Sequence, residues 1–259
     1  MRPNKIKALW KEGKPAVAGW ISTGNTYLAE AMSHAGFDAL IIDMQHGMGV
    51  TTDRTIACLQ AISTTDTVPM VRLPWNDPQT IQFVLDAGAY GIIVPLVNTY
   101  GDAVAAAQAA HYPPLGRRSV GANRARFYAG ADYFQHADEE IIVLVMIETQ
   151  EAVDNLEEIA KAPGIDGFYI GPSDLAVSLG LTPGPEGFND PRHVAACQRV
   201  LDVANATGLV PCHHGYTPEA VAQYFEQGFK LCQIASDILM VTNGSATALN
   251  TLAEARSRV

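Results

Sequence analysis

The sequence predicts a single (β/α)8 barrel over residues 1–259, and three observations carry that reading. Short apolar runs rich in Val and Ile recur eight times along the chain. Each is followed by a stretch whose apolar residues repeat at helical spacing. Gly closes several of these stretches just before the next run, as in Ala35-Gly36-Phe37, Ala87-Gly88-Ala89 and Gln227-Gly228-Phe229. Continuous apolarity without alternation is what a parallel sheet buried on both faces requires. Eight such units fit a chain of 259 residues. An open, doubly wound sheet is the alternative.

The expected strands are Ala16–Ile21, Ala39–Met44, Val68–Leu73, Gly91–Val97, Ile141–Glu148, Gly167–Gly171, Leu209–His213 and Leu231–Ser236. The expected helices include Tyr27–Ala35, Pro78–Ala87, Asp102–Ala110, Ala152–Lys161, Pro191–Thr207 and Pro218–Gln227. Several begin after Asp, Thr or Pro, as helix starts do. The one irregular stretch, His111–Glu140, is long for a connection in a compact domain, and such loops often carry function.

Composition excludes several classes. With 17 Lys+Arg against 27 Asp+Glu, the formal charge is −10. Such a surface repels phosphate backbones and anionic lipid, so neither nucleic acid nor membrane is an expected partner. The longest apolar run, Ile141–Ile147, cannot span a bilayer. The four cysteines (Cys58, Cys197, Cys212 and Cys232) show no CxxC spacing and read as thiols in a reducing cytoplasm.

In a barrel of this kind the active site lies at the C-terminal ends of the strands. That rule selects Asp43, Gln45 and His46 after strand two, Arg72 on strand three and Glu148 on strand five. It also selects Gly171-Pro172-Ser173-Asp174 after strand six, His213-His214 on strand seven and Ser236-Asp237 on strand eight. Glu148 follows seven apolar residues; it is either half of a buried ion pair with Arg72 or a metal ligand beside Asp174. Ser173 or Asp174 could instead cap a helix starting near Leu175. Arg72 suits a negative oxygen, and its loss should spare the fold. His46 suits proton transfer. His213 or His214 could bind metal or line the substrate mouth, although only one can face the axis. Arg124 and Arg126 are either solvated or reach an anionic substrate. None of the six lysines lies at a strand C-terminus, which excludes Schiff-base chemistry. Carbonyl chemistry then needs a metal electrophile.

Six blocks occur in order: Ile42-Asp43-Met44-Gln45-His46, Val71-Arg72-Leu73-Pro74, Leu85-Asp86-Ala87-Gly88-Ala89, Tyr112-Pro113-Pro114-Leu115-Gly116-Arg117-Arg118, Met146-Ile147-Glu148-Thr149 and Ile170-Gly171-Pro172-Ser173-Asp174-Leu175. Together they resemble the HpcH/HpaI family of metal-dependent pyruvate aldolases, from about Gly19 to Ser236. The resemblance implies a barrel that assembles as a hexamer, with its last helix exchanged between subunits. It implies that Glu148 and Asp174 hold Mg2+, Mn2+ or Co2+. The 2-oxo acid carboxylate would meet Gly171, Pro172 and Ser173, and Arg72 would hold the keto oxygen. His46, paired with Asp86, would move the aldol hydroxyl proton, with Asp43 orienting water nearby. Gln45 and His213 would lie toward the aldehyde.

Asp86 is placed near a helix end, at the far face of its own barrel. It reaches His46 only from a neighbouring subunit, or if that helix ends elsewhere. Gln45 stands where many members carry Glu, a feature associated with hydroxypyruvate or small hydroxyaldehydes as substrates. The implied reaction joins or cleaves a 2-oxo acid and an aldehyde. A CoA-ester lyase of the citrate-lyase-like branch and a non-catalytic 2-oxo-acid-binding protein are the competing functions.

Overall fold

The computed structural model describes residues 1–256. Eight strands form a closed barrel in chain order: β1 (Ala16–Ile21), β2 (Ala39–Asp43), β3 (Val68–Arg72), β4 (Gly91–Val94), β5 (Ile142–Ile147), β6 (Gly167–Ile170), β7 (Val210–His214) and β8 (Leu231–Ser236). Every neighbouring pair is parallel, including β1 with β8. The expected barrel is therefore the observed one, and the open sheet is excluded. Strand ends agree with the sequence reading within a residue or so, except at β4. There the chain leaves the ladder early, and Leu96 turns through a left-handed φ of 52°.

Polar side chains start the outer helices. Asn25, Thr51, Asp77, Thr99 and Thr217 each accept a hydrogen bond from the first turn of the helix they precede. The expected helix Ala152–Lys161 is two helices, Gln150–Asp154 and Leu156–Ile159. They break at Asn155, whose side-chain amide donates to the Asn98 carbonyl. The irregular stretch contains the short helices Ala125–Ala129 and Tyr133–Glu140.

The sequence reading missed the helix Lys5–Lys11, which packs near the barrel floor. Its signal was the buried Asn4, which caps Ile6 and donates to the carbonyls of Tyr90 and Glu140. Ile6 is fully buried. The last helix, Asp237–Arg256, is tied down by its first residue. Buried Asp237 accepts from the backbone and hydroxyl groups of both Ser22 and Thr23. Asp237 is thus a structural anchor rather than a mouth residue. Beyond it Ile238, Val241, Leu249 and Leu252 are exposed. No described helix is long and apolar enough to cross a membrane. Cys58, Cys212 and Cys232 are buried free thiols, and Cys197 is half-buried.

Candidate active site

Register builds the site. Asp43 on β2 is the partner of Arg72 on β3, so both side chains meet at the barrel mouth. Arg72 donates from Nε to Asp43 Oδ1 (2.8 Å) and from Nη2 to Oδ2 (2.5 Å). Its guanidinium lies 4.9 Å from the Trp20 ring centre. Asp43 also accepts from Trp20 Nε1 and from the backbone N–H groups of Gln45 and His46. Burial disfavours the Asp43 carboxylate, but Arg72, the His46 N–H and Trp20 hold its carboxyl below the usual range. Asp43 is therefore the clamp that fixes the face and edge of Arg72. Arg72 Nη1 makes no hydrogen bond among the described residues and is available to a ligand oxygen.

Glu148 sits one step beyond β5 and is 2 % exposed. It does not pair with Arg72, so the ion-pair alternative falls. Its Oε1 accepts the Leu96 N–H at 2.7 Å, which explains why β4 ends in a strained turn. Its Oε2 faces Gly171, where a Cβ would collide with the carboxylate and with Met146 Cε. Burial pushes the Glu148 carboxyl up to about 7, and the charge of Asp174 adds to the rise. The Leu96 N–H and Arg72 oppose it.

The Asp174 charge disfavours ionised Glu148, and a cation held by both carboxylates would offset that repulsion. The donor set is hard oxygen, suited to Mg2+, Mn2+ or Co2+ with several positions left to water and substrate. Among the described residues no cluster of three or more His, Cys, Asp and Glu side chains could hold a metal. Gly171→Ala is expected to lower Mn2+ affinity at least about tenfold while leaving the circular dichroism spectrum unchanged. Isothermal titration with Mn2+ checks this.

The helix after β6 starts at Pro172, not near Leu175, and Gly171 precedes it without a side-chain cap. Capping therefore does not explain Ser173 or Asp174. Ser173 Oγ instead meets Tyr216 Oη at 2.8 Å, and Asp174 is exposed.

Of the two histidines one faces the barrel axis, as expected, but it is His214 rather than His213. Strand alternation turns His213 outward, where it stacks on Tyr224 (3.9 Å between ring centres) and its Nδ1–H donates to the His214 carbonyl. His213 does not line the mouth, which corrects the sequence reading. His214 faces inward, edge-on to Trp20 at 4.8 Å, and its Nε2 accepts from Gln233. Trp20, Tyr169 and Gln233 are site-wall residues that sequence reasoning missed. The inward positions of β1, β6 and β8 were their available signal.

Burial pushes His213 down to about 4, and burial with Arg72 nearby pushes His214 to about 3. Both titrate near 6.5 when unfolded. The unfolded chain then binds protons that the folded one refuses. The stability they contribute is complete above pH 6.5 and is lost as pH falls toward the folded values. Asn at position 213 retains a donor and removes one titration. The stability advantage of wild type over His213→Asn should shrink as pH falls from 6.5 toward 4, by at most about 1 kcal/mol per pH unit, because there the unfolded wild-type chain takes up a proton that the folded one does not. Chemical denaturation at stepped pH tests it, and a constant difference would contradict it.

His46 is exposed beside the mouth. Asp86 ends the helix Pro78–Asp86 at the opposite end of the barrel and accepts from Arg118 Nη2 at 2.7 Å. Within one chain the His46–Asp86 pair does not form. Arg124 is half-buried, donating to the Ala87 carbonyl and Ser63 Oγ, so it is structural. Arg126 is exposed. Lys5 and Lys7 pair with Asp38 and Asp166 below β2 and β6, and Lys230 binds the Gly13 carbonyl.

With this geometry in view, comparison with known proteins is decisive. The sequence pattern of the HpcH/HpaI aldolase/citrate lyase family matches residues 17–244. The chain belongs to that family. It is 39 % identical to a hydroxypyruvate/pyruvate aldolase of Rhizorhabdus wittichii, across 98 % of this chain and 99 % of the relative. It is 34 % identical to a 4-hydroxy-2-oxo-heptane-1,7-dioate aldolase of Escherichia coli, across 93 % and 92 %. An HpcH/HpaI aldolase/citrate lyase family protein from Burkholderia cenocepacia superposes with a TM-score of 0.89 at 31 % identity, covering 96 % of this chain and 99 % of the other. Within an HpcH/HpaI barrel, the mouth described above is the place where chemistry is to be sought.

Proposed function

We propose that this family member is a class II aldolase. It cleaves or forms 4-hydroxy-2-oxo acids, taking pyruvate or hydroxypyruvate with an aldehyde. The observation that carries the reading is the closeness of Glu148, just after β5, to Asp174 in the helix after β6, with the Asp43-bound Arg72 near enough for its charge to act on Glu148. The names of the relatives support the same reaction class.

Glu148 and Asp174 would hold the divalent cation, which supplies Lewis acidity toward the oxygens of a 2-oxo acid. The residues of the chain do the rest. The backbone from Gly171 to Ser173 receives the substrate carboxylate. Arg72, clamped by Asp43 and Trp20, donates to the keto oxygen, where negative charge develops as the carbon–carbon bond breaks. His46 takes the proton of the 4-hydroxyl as the aldehyde leaves. Asp86 pairs with His46 from a neighbouring subunit. Gln45 flanks the aldehyde side.

The last helix is exchanged between subunits of a hexamer; the exposed apolar residues along Asp237–Arg256 support its having a partner surface. Light scattering after size exclusion reads the subunit number, and a monomer would remove the partner that Asp86 requires.

A nucleotide-bearing thioester is a poorer fit. The cavity of about 650 Å³ beside the mouth, reaching Ser173, Phe188 and Tyr216, is lined by no Lys or Arg among the described residues. The direct test supplies purified protein and Mn2+ with a panel of 4-hydroxy-2-oxo acids and measures released 2-oxo acid. Release that EDTA abolishes is expected. Turnover of CoA thioesters with no release from the panel would overturn the reading.

A further inference from the structure

Arg118 is one of the largest side chains that the fold buries completely. Its guanidinium lies 4.7 Å from the Tyr112 ring centre and 5.4 Å from that of Tyr133. Among the described residues, the side-chain acceptor within hydrogen-bond distance of the guanidinium is Asp86 Oδ1, 2.7 Å from Nη2. Among the described residues Arg118 Nε and Nη1 have no hydrogen-bond partner, and neither do the hydroxyls of Tyr112 and Tyr133. As a stabilising device this is a poor arrangement. A guanidinium loses its hydration and satisfies one donor in return, where an apolar side chain of that size would serve at least as well. The arrangement does accomplish one thing. It holds the Asp86 carboxylate in one orientation at the protein surface, where Asp86 keeps 30 % exposure against 0 % for Arg118. The second oxygen, Oδ2, lies beside Gly121, where a Cβ would approach to 3.1 Å. Glycine there leaves Oδ2 uncovered.

We infer that Arg118 is a positioning residue. From its buried aromatic seat it fixes Asp86 Oδ1 so that Oδ2 is presented outward, ready for the imidazole N–H of His46 on a neighbouring subunit. The inference rests on the proposed role of Asp86. Arg118 is distant from its own barrel mouth and touches no substrate. Its effect should pass entirely through one carboxylate.

The test is a double-mutant cycle on the metal-loaded oligomer with Arg118→Met, Asp86→Asn and the pair, reading kcat, KM for the cleaved oxo acid, and Tm. Asp86→Asn keeps a side-chain oxygen for Arg118 to bind. Arg118→Met should lower kcat about 10- to 100-fold, as loss of a supporting partner does, with KM unchanged. In the Asp86→Asn background it should have no further effect on kcat. Arg118→Lys, which retains a donor, should recover part of the loss. An equal fall in kcat from Arg118→Met with or without the Asp86 carboxylate would overturn the inference. So would full activity of Arg118→Met when Asp86→Asn is impaired. Full activity of Asp86→Asn would instead remove the role proposed for Asp86 itself. If Arg118→Met fails to assemble, Arg118→Lys and Tyr133→Phe carry the cycle.

Discussion

Arg72→Lys is expected to lower kcat by about 10²- to 10³-fold, the loss typical of one donor to a developing oxyanion. The fold should survive, because lysine keeps a positive charge beside Asp43 while losing the two-pronged geometry. Arg72→Ala should behave differently from the sequence-based expectation that it spares stability. Asp43 is 3 % exposed and depends on Arg72 for its charge compensation. Removing the guanidinium leaves a buried carboxylate unpaired, at a cost of about 3–5 kcal/mol. The combination Arg72→Met with Asp43→Asn should regain most of that stability and none of the turnover. Thermal denaturation and steady-state cleavage of the same preparations separate the two quantities. Parallel recovery of both would mean that Arg72 acts only as a strut.

Glu148→Gln should abolish both cation binding and turnover without harming the apo fold. The amide oxygen can still accept the Leu96 N–H, and a buried charge that burial already pushes toward neutrality is removed. In the wild type, Mn2+ should raise Tm by binding the native state alone. In Glu148→Gln that rise should vanish, and kcat should fall by at least about 10³-fold, at the scale of losing Lewis-acid stabilisation. The decisive pair of measurements is thermal shift and isothermal titration with Mn2+. Undiminished Mn2+ affinity in Glu148→Gln would dismiss it as a ligand.

The barrel was legible because parallel strands buried on both faces need uninterrupted runs such as Ile142–Ile147, and the Asp and Thr caps mark where helices restart. The mouth was legible because strand ends are where polar residues break those runs. Glu148, Arg72 and Asp43 were all found this way. Their partners were not. Whether Arg72 pairs with Asp43 or with Glu148 depends on the register of β2 against β3, and apolarity alone leaves register open. His213 and His214 differ by one residue, and the absolute phase of β7 decides which one faces inward. The helix start at Pro172 was hidden because Ser173 and Asp174 resemble a cap, whereas Pro at the first helical position is an equally good start signal. Arg118 was seen only as part of a motif. Its burial beneath Tyr112 and Tyr133 is a long-range property of the irregular segment, which carries no periodic signal.

The central claim is that this mouth generates negative charge on a 2-oxo acid and holds it. The most direct measurement is deuterium exchange of the methyl protons of pyruvate in D2O, followed by proton NMR. It needs no knowledge of the aldehyde. Exchange should occur with Mg2+, stop on addition of EDTA, and be absent from Glu148→Gln. Absence of exchange with Mg2+, Co2+ or Mn2+ (the last removed before detection), even with an aldehyde present, would contradict the account.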